Sequence, residues 1–294
     1  MSSAMQGEPP NSAAATHPTY GVVILYYRLG RDVVRTIRAV RVQSLRPVRI
    51  VLVDNASNDG VVEGLSPEEL AGVEVLHAST NGGYSTGMNA GLKRLAGSVD
   101  YLLVLTHEVV MEPTCVELML DQASSDDVVL VGPSLRLPGG EVWSNGGRVT
   151  RFGSAVHVRA KTSQDPVPAD WLDGACLLAR RDAMVSIGGF DERYFLYWED
   201  VDFSLSMASE GRVVVAPSAI AHQSPTVNAP MYYYARNRLL LWRKFKRPLR
   251  LLASVPAILA FAVHRALGGR RADVLHALRG IRDGLAGRGG RAPD

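Results

Sequence analysis

Four short apolar runs, YGVVILYY (20–27), RIVLVDN (49–55), VEVLHA (73–78) and DYLLVLT (100–106), each end in a cluster of polar or glycine residues. Between them lie RDVVRTIRAVRVQS (31–44), with apolar residues at helical spacing, and TGMNAGLKRLAG (86–97), which opens from a glycine-rich loop. Uninterrupted apolar runs of this length are strands buried on both faces. Their alternation with helices predicts an α/β fold with a mostly parallel central sheet flanked by helices. Downstream, EPTCVELMLDQAS reads as a helix and VVLVGPSLRL as a strand. The Gly/Pro-rich stretch 138–168 reads as short strands and loops in which substrate specificity is inserted.

In such sheets ligands bind at the carboxyl ends of the strands. The clusters YYRLG, DNASNDG, NGGYSTG and THE all fall there, so the site is predicted as a rim of four loops carrying Tyr26, Arg28, Asp54, Asn81 and Thr106. Two common nucleotide signatures are missing. A dinucleotide site needs G-x-G-x-x-G after the first strand, where this chain has YYRLGRD, and the G-x-x-x-x-G-K-[ST] loop occurs nowhere. DNASNDG looks superficially like a calcium loop, but it follows a strand and lacks the closing acid. Asp54 is left with two readings. It accepts from a base N–H or ribose hydroxyls, or with Asn55 it caps the turn. Gly82, Gly83 and Gly87 allow close backbone approach in front of a helix start, which attracts phosphate, while Asn81 and Asn89 bind donor or fix the loop.

At 294 residues and 47% hydrophobic, the chain can bury one large α/β domain with an appendage. Cys115 and Cys176 have no CxxC spacing, which argues against a disulfide framework or a zinc site and for a reducing compartment. Residues 1–18 have neither a basic start nor an apolar core. They read as a disordered lead, and the expected location is cytoplasmic. Charge divides the rest: residues 1–230 carry 18 Lys and Arg against 26 Asp and Glu, and residues 231–294 carry 14 against 3. The expected organisation is one domain over 19–230, in two halves (19–110 with the strand-end loops, and 111–230), then a basic amphipathic helical tail over 231–294. In that tail LLASVPAILAFAV, 13 residues, lies between WRKFKRPLR and HRALGGRR. It is shorter than the roughly 20 residues a spanning helix needs, and it reads either as a membrane-surface contact on the inner face or as packing on the domain. Nucleic acid is not an expected partner, and a homodimer stays open.

Taken in order, VVILYYRLG, VDNASNDG, NGGYSTGMNAGL, a strand with an acidic end, WLDGACLLARR, GGFDERYFLYWEDVDFSLSMASEG and AIAHQSP resemble the family 2 nucleotide-sugar glycosyltransferases. More narrowly, they resemble the branch with rhamnosyl- and galactofuranosyltransferases. The resemblance spans about residues 20–240, and WEDVDFSL with the preceding GGFDERYF is its most specific part. It implies a GT-A fold and an inverting transfer from a nucleoside diphosphate sugar, with UDP and dTDP both fitting. The expected acceptor is a hydroxyl on a lipid-linked intermediate or on a natural product, free or carrier-bound, and the resemblance implies a divalent cation, Mg or Mn, on the diphosphate.

The resemblance also assigns roles. Asp200 matches the family's catalytic base, Glu199 is its neighbour, and Asp202 reads as a helix cap. Adjacent carboxylates raise one another's pKa while the helix dipole lowers it, and the residues alone leave the outcome open. The family's metal-binding aspartate aligns with Glu108, so Thr106-His107-Glu108 stands in place of an aspartate-rich segment. His107 is a candidate second ligand, and His222 in AIAHQSP takes the place of a histidine that can complete the coordination. Without an ion, His222, Arg236 and Arg238 would neutralise the leaving diphosphate. Trp171, Asp173 and Gly174 of WLDGACLL, with Trp198, are expected to line the donor-sugar and acceptor pocket. Two other functions compete. Nucleotidylyltransfer lacks its glycine- and lysine-containing loop here, and a non-catalytic sugar-nucleotide-binding protein would leave the WED pair unexplained.

Overall fold

The computed structural model describes residues 18–161, 165–224 and 230–292. All but Pro18 of the expected lead lies outside them. The chain runs β1 (Tyr20–Tyr26), α1 (Asp32–Arg41), β2 (Arg49–Asp54), β3 (Val73–His77), α2 (Gly83–Leu95), β4 (Tyr101–Thr106), β5 (Val110–Met111), α3 (Cys115–Ala123) and β6 (Val128–Arg136). Short strands β7 (Val142–Ser144), β8 (Gly147–Val149), β9 (Ala155–His157) and β10 (Val167–Pro168) follow. After them come β11 (Cys176–Arg180), α4 (Arg181–Ser186), α5 (Glu199–Met207), β12 (Arg212–His222), α6 (Met231–Lys244), α7 (Pro248–Leu267) and α8 (Ala272–Leu285).

The first four long strands pair in parallel in the order β3-β2-β1-β4, as the alternation predicts. The sheet then continues through β11, antiparallel to both β4 and β6, to β12, which is parallel to β6. Strand alternation explains why both sheet faces are apolar. Val22 and Ile24 join Val33 and Ile37 of α1 in one core layer, while Val23 and Leu25 join Met88 and Leu92 of α2 in the other. Cys115 and Cys176 are free thiols within the first layer.

Two boundaries differ from the sequence reading. Helix α2 begins at Gly83 rather than at Thr86, because the Tyr84 amide donates to the Phe195 carbonyl at 2.8 Å and thereby shapes the first turn. The change of charge at Pro230 does not end the packed domain. Leu240, Leu241 and Trp242 of α6 form one cluster with Trp171, Tyr194, Trp198 and Val201, and the Trp242 indole donates to the Gly153 carbonyl. Only α7 and α8 lie outward of that cluster, packed on α6 through Ile258, Ala262, Ala277 and Ile281.

Candidate active site

A cavity of about 420 Å³ opens beyond the carboxyl end of β4. Thr106 and Glu108 form one side of it and Glu199 and Asp200 another. Asp173 and Gly174 of the loop before β11 complete the polar wall, and Trp171, Trp198 and Tyr234 the aromatic one. Segments about ninety residues apart in sequence thus share one wall, through the antiparallel insertion of β11 between β4 and β6.

The WED motif enters the cavity on a strained turn. Tyr197 and Trp198 have φ of 67° and 71°, a left-handed conformation that bulky residues avoid. Their conformation is held from α6: the buried Asn237 amide donates to the carbonyls of Leu196 (2.9 Å) and Tyr197 (2.8 Å). This turn aims Asp200 at Gly174. The Val201 amide donates to Asp200 Oδ1 at 2.8 Å and the Gly174 amide to Oδ2 at 3.3 Å. Desolvation, then the charge of Asp173, lifts the Asp200 carboxyl to about 7. Glu199 is buried, and among the described residues its Oε2 has no partner. Its pKa is pushed well up by burial and then by Asp200. Desolvation therefore outweighs the helix dipole. Burial favours the protonated form of Glu199, and Asp200, at about 7, is the group poised to exchange a proton near neutral pH. Asp202 is not a helix cap: it accepts from Lys244 Nζ (2.6 Å) and from the Tyr194 hydroxyl, tying α5 to α6.

Asn237→Ala is expected to leave two inward carbonyls unpaired, at about 1–3 kcal/mol each. Thermal unfolding should show a clear loss of stability, and steady-state rates a fall in kcat larger than any rise in donor KM, because the variant releases the turn that aims Asp200.

The nucleotide corner is built more tightly than the sequence suggests. The Tyr26 hydroxyl donates to Asp59 (2.7 Å) and Arg28 Nε to the Ser57 carbonyl (2.8 Å), closing the loop after β2. Asp54, 4% exposed, accepts the Ser57 amide at 3.0 Å and lies 3.3 Å from His77 Nδ1. Asn81 Oδ1 accepts from Asn55 and from the Gly83 amide, and the Gly82 amide donates to Asn55 Oδ1. The amides of Gly82, Gly83 and Tyr84 at the start of α2 thus have acceptors within the protein, and the expectation that this loop holds phosphate is corrected. The glycines are needed for packing. A Cβ on Gly83 would lie 2.2 Å from the Phe195 carbonyl oxygen, and one on Gly87 would lie 2.5 Å from Leu25. Asn89 faces away from the cavity and bonds Phe190 and Glu192.

Three further expectations are corrected. His107 is buried and does not line the cavity: its Nδ1 donates to the Leu25 carbonyl and lies 3.8 Å from Glu108 Oε2, and its ring is edge-on to Tyr26. His222 pairs with Glu112 at 3.2 Å, and it is the next residue, Gln223, that lines the cavity beside Glu108. Arg236 donates to the carbonyls of Gly290 and Arg193, and Arg238 to Ser254 and the Phe152 carbonyl, so neither guanidinium faces the cavity. Long-range partners fix the first two: the Leu25 carbonyl on β1 holds the His107 ring, and Glu112 holds that of His222.

The donor set for a divalent ion is therefore smaller than expected. Glu108 lines the cavity, and its Oε2, like Thr106 Oγ1, is buried without a hydrogen bond among the described residues, the nearest cationic candidate being His107 Nδ1 at 3.8 Å. One carboxylate with an unpaired oxygen fits an ion completed by substrate phosphates and water. Asp54, Glu63 and His77 also bring ligand atoms within 4.8 Å of one another, but at the outer strands β2 and β3 and outside the cavity lining.

Among the cavity residues that escaped the sequence reading, Trp143 and His157 lie in the irregular stretch 138–168. Trp143 Nε1 donates to Asp173 Oδ2 (3.1 Å), and His157 sits between the rings of Trp143 and Trp171, at 5.1 and 4.8 Å. The only hint was aromatic and imidazole side chains in an otherwise polar insertion. Asn237 had a better signal, being a lone amide in the apolar helix stretch between YYYAR and LLLW.

Residues 21–187 match glycosyl transferase family 2. The chain belongs to this family. The glycosyltransferase is 31% identical over 226 residues to N-acetylglucosaminyl-diphospho-decaprenol L-rhamnosyltransferase of Mycobacterium tuberculosis, covering 67% of this chain and 73% of the relative. It is 30% identical over 156 residues to the O-antigen biosynthesis protein RfbC of Myxococcus xanthus, covering 48% of this chain and 12% of that one. Its fold is that of GT-A glycosyltransferases. GalNAc-T7, solved with UDP, GalNAc and Mn2+, superposes with a TM-score of 0.65 at 16% identity over 79% of this chain, which spans half that protein's length. The mannosyltransferase PcManGT of Pyrobaculum calidifontis, solved with GDP-Man and Mn2+, gives 0.58 at 14% identity, covering 92% of this chain and 88% of that one.

Proposed function

We propose that the enzyme is an inverting transferase that moves a sugar, rhamnose-like or furanose in kind, from UDP or dTDP to a hydroxyl of a lipid-linked glycan intermediate. One observation carries this reading. Among the described residues the cavity is lined by four carboxyl groups, Glu108, Asp173, Glu199 and Asp200, with neither Lys nor Arg, and one of the four is lifted to about 7. A diphosphate cannot settle in such a field without a cation, and a hydroxyl acceptor needs a base of that pKa. Glu108 would hold a magnesium or manganese ion, which when bound supplies charge relief to the departing diphosphate.

The roles of the protein groups follow. Asp200 takes the acceptor proton, and burial beside Asp200 favours the uncharged form of Glu199. Asp173, braced by Trp143, orients sugar hydroxyls, while Trp171 and Trp198 supply apolar ring faces. Asp54 meets the base or ribose at the strand ends, in exchange for His77. The first relative acts on a decaprenyl diphosphate sugar by its printed name, which supports a polyprenyl-type acceptor and a cytoplasmic enzyme peripheral on the inner membrane face, in contact through 231–294.

Calorimetric titration of UDP and dTDP into chelator-treated protein, with and without manganese, tests the reading. One nucleotide is expected to bind, and only with the metal. Equal binding in chelator would remove the ion from the scheme, and no binding of either nucleotide in any condition would sink the donor site. The anomeric configuration of the product, read by NMR, decides inversion.

A further inference from the structure

Helix α7 carries an exposed row of apolar residues, Leu249, Leu252, Pro256, Ala260, Val263 and Leu267, spaced three or four apart along its outer face. Leu249 is 81% and Leu267 84% exposed, and Leu275 and Leu278 extend the patch onto α8. By length and composition α7 would cross a bilayer. Its inner face prevents this. Ser254, Ile258 and Ala262 are buried against α6 and α8, and Ser254 Oγ accepts from the buried Arg238 at 2.9 Å. Pulling α7 into lipid would strand that guanidinium in the protein interior.

Charge selects the occupant of the patch. Within residues 230–292 the acids are Asp273 and Asp283; both are buried and paired, with Arg265 and with Tyr232, Arg282 and Arg288. The exposed surface around the row is therefore cationic, with Lys246 and Arg247 before α7 and Arg270 and Arg271 after it. An apolar row rimmed by cations matches the interface of an anionic phospholipid bilayer.

The row also touches the active site. Phe261, at its edge, packs on Tyr234 (5.3 Å between ring centroids), and Tyr234 packs on Trp198 (5.9 Å) and lines the cavity. We propose that α7 lies in the plane of an anionic membrane on this row, and that the lipid portion of the acceptor passes from the bilayer over Phe261 and Tyr234 to reach Asp200. The route rests on the lipid-linked acceptor proposed above; the docking face does not.

The test is co-sedimentation of the full chain with phosphatidylcholine vesicles, with and without phosphatidylglycerol. The wild type should pellet with the anionic vesicles, release at high salt or in alkaline carbonate, and stay soluble with the neutral ones. The triple variant Leu249→Gln, Leu252→Gln, Leu267→Gln should lose about tenfold in partitioning, with thermal unfolding and donor hydrolysis unchanged. A wild type that ignores anionic vesicles, a triple variant that binds equally well, or resistance to carbonate would overturn the in-plane face. Phe261→Ala should raise KM for a vesicle-embedded polyprenyl diphosphate sugar while vesicle binding persists, and an unchanged KM would overturn the route. If the wild type pellets with vesicles but glycosylates only a soluble acceptor, the lipid-linked reading fails and the docking face stands.

Discussion

Asp200→Asn is expected to lower kcat by about 10²–10⁴-fold while donor affinity stays close to that of the wild type. The amide keeps the shape of the side chain and one oxygen for the closer Val201 amide, giving up the longer bond from Gly174, and it cannot take the acceptor proton. In the wild type kcat/KM should rise with pH through about 7, where Asp200 ionises, and flatten above it. Stability carries the opposite sign. The folded pKa lies above the unfolded carboxyl value of about 3.9, so between the two the native state holds a proton that the unfolded chain has released. Native stability from this group is complete below the lower value and falls as pH rises through the upper one. Asp200→Asn removes that loss, so its melting temperature should gain on the wild type as pH climbs from about 4 to about 7. A variant with wild-type kcat would remove Asp200 as the base, and a pH-independent difference in melting temperature would contradict its raised pKa.

Glu108→Ala should lower kcat/KM by about 10²–10³-fold and abolish manganese-dependent nucleotide binding in the calorimeter. The cavity would keep three carboxyls but lose the one beside Thr106 whose unpaired oxygen is free to hold a cation. Glu108→Asp retains the charge and should keep the metal dependence with a smaller loss. If Glu108→Ala binds nucleotide with manganese as the wild type does, the ion sits elsewhere, and the Asp54, Glu63 and His77 group becomes the place to look.

Much of the fold was legible in the residue pattern. Apolar runs such as VVILYY and IVLVD specify strands buried on both faces, and the period of VVRTIRAV specifies a helix covering one of them, because few other arrangements hide so continuous an apolar surface. The polar clusters at the strand ends placed the site for the same reason. The WED carboxylates and Glu108 were also legible, through motif likeness rather than periodicity.

The detailed assignments were not legible where they depend on which way a side chain points. His107 and Glu108 are adjacent, as are His222 and Gln223, and in each pair the second residue lines the cavity while the histidine is held by a distant partner, the Leu25 carbonyl or Glu112. Arg236 and Arg238 look like phosphate ligands as a list of charges, yet packing turns their guanidinium groups toward backbone carbonyls and Ser254 inside the helical layer. The sequence by itself determined the α/β sheet and the strand-end position of the Thr106–Glu108 loop, because these follow from local period and composition. Only the tertiary structure decided that Tyr26, Arg28, Asp54 and Asn81 stand outside the cavity lining, that Asp200 sits at about 7 beside a Glu199 pushed up by burial, that Asn237 holds the strained turn, and that α7 keeps an apolar row outward. Desolvation, long-range hydrogen bonds and the unused face of a packed helix exist only once distant segments meet.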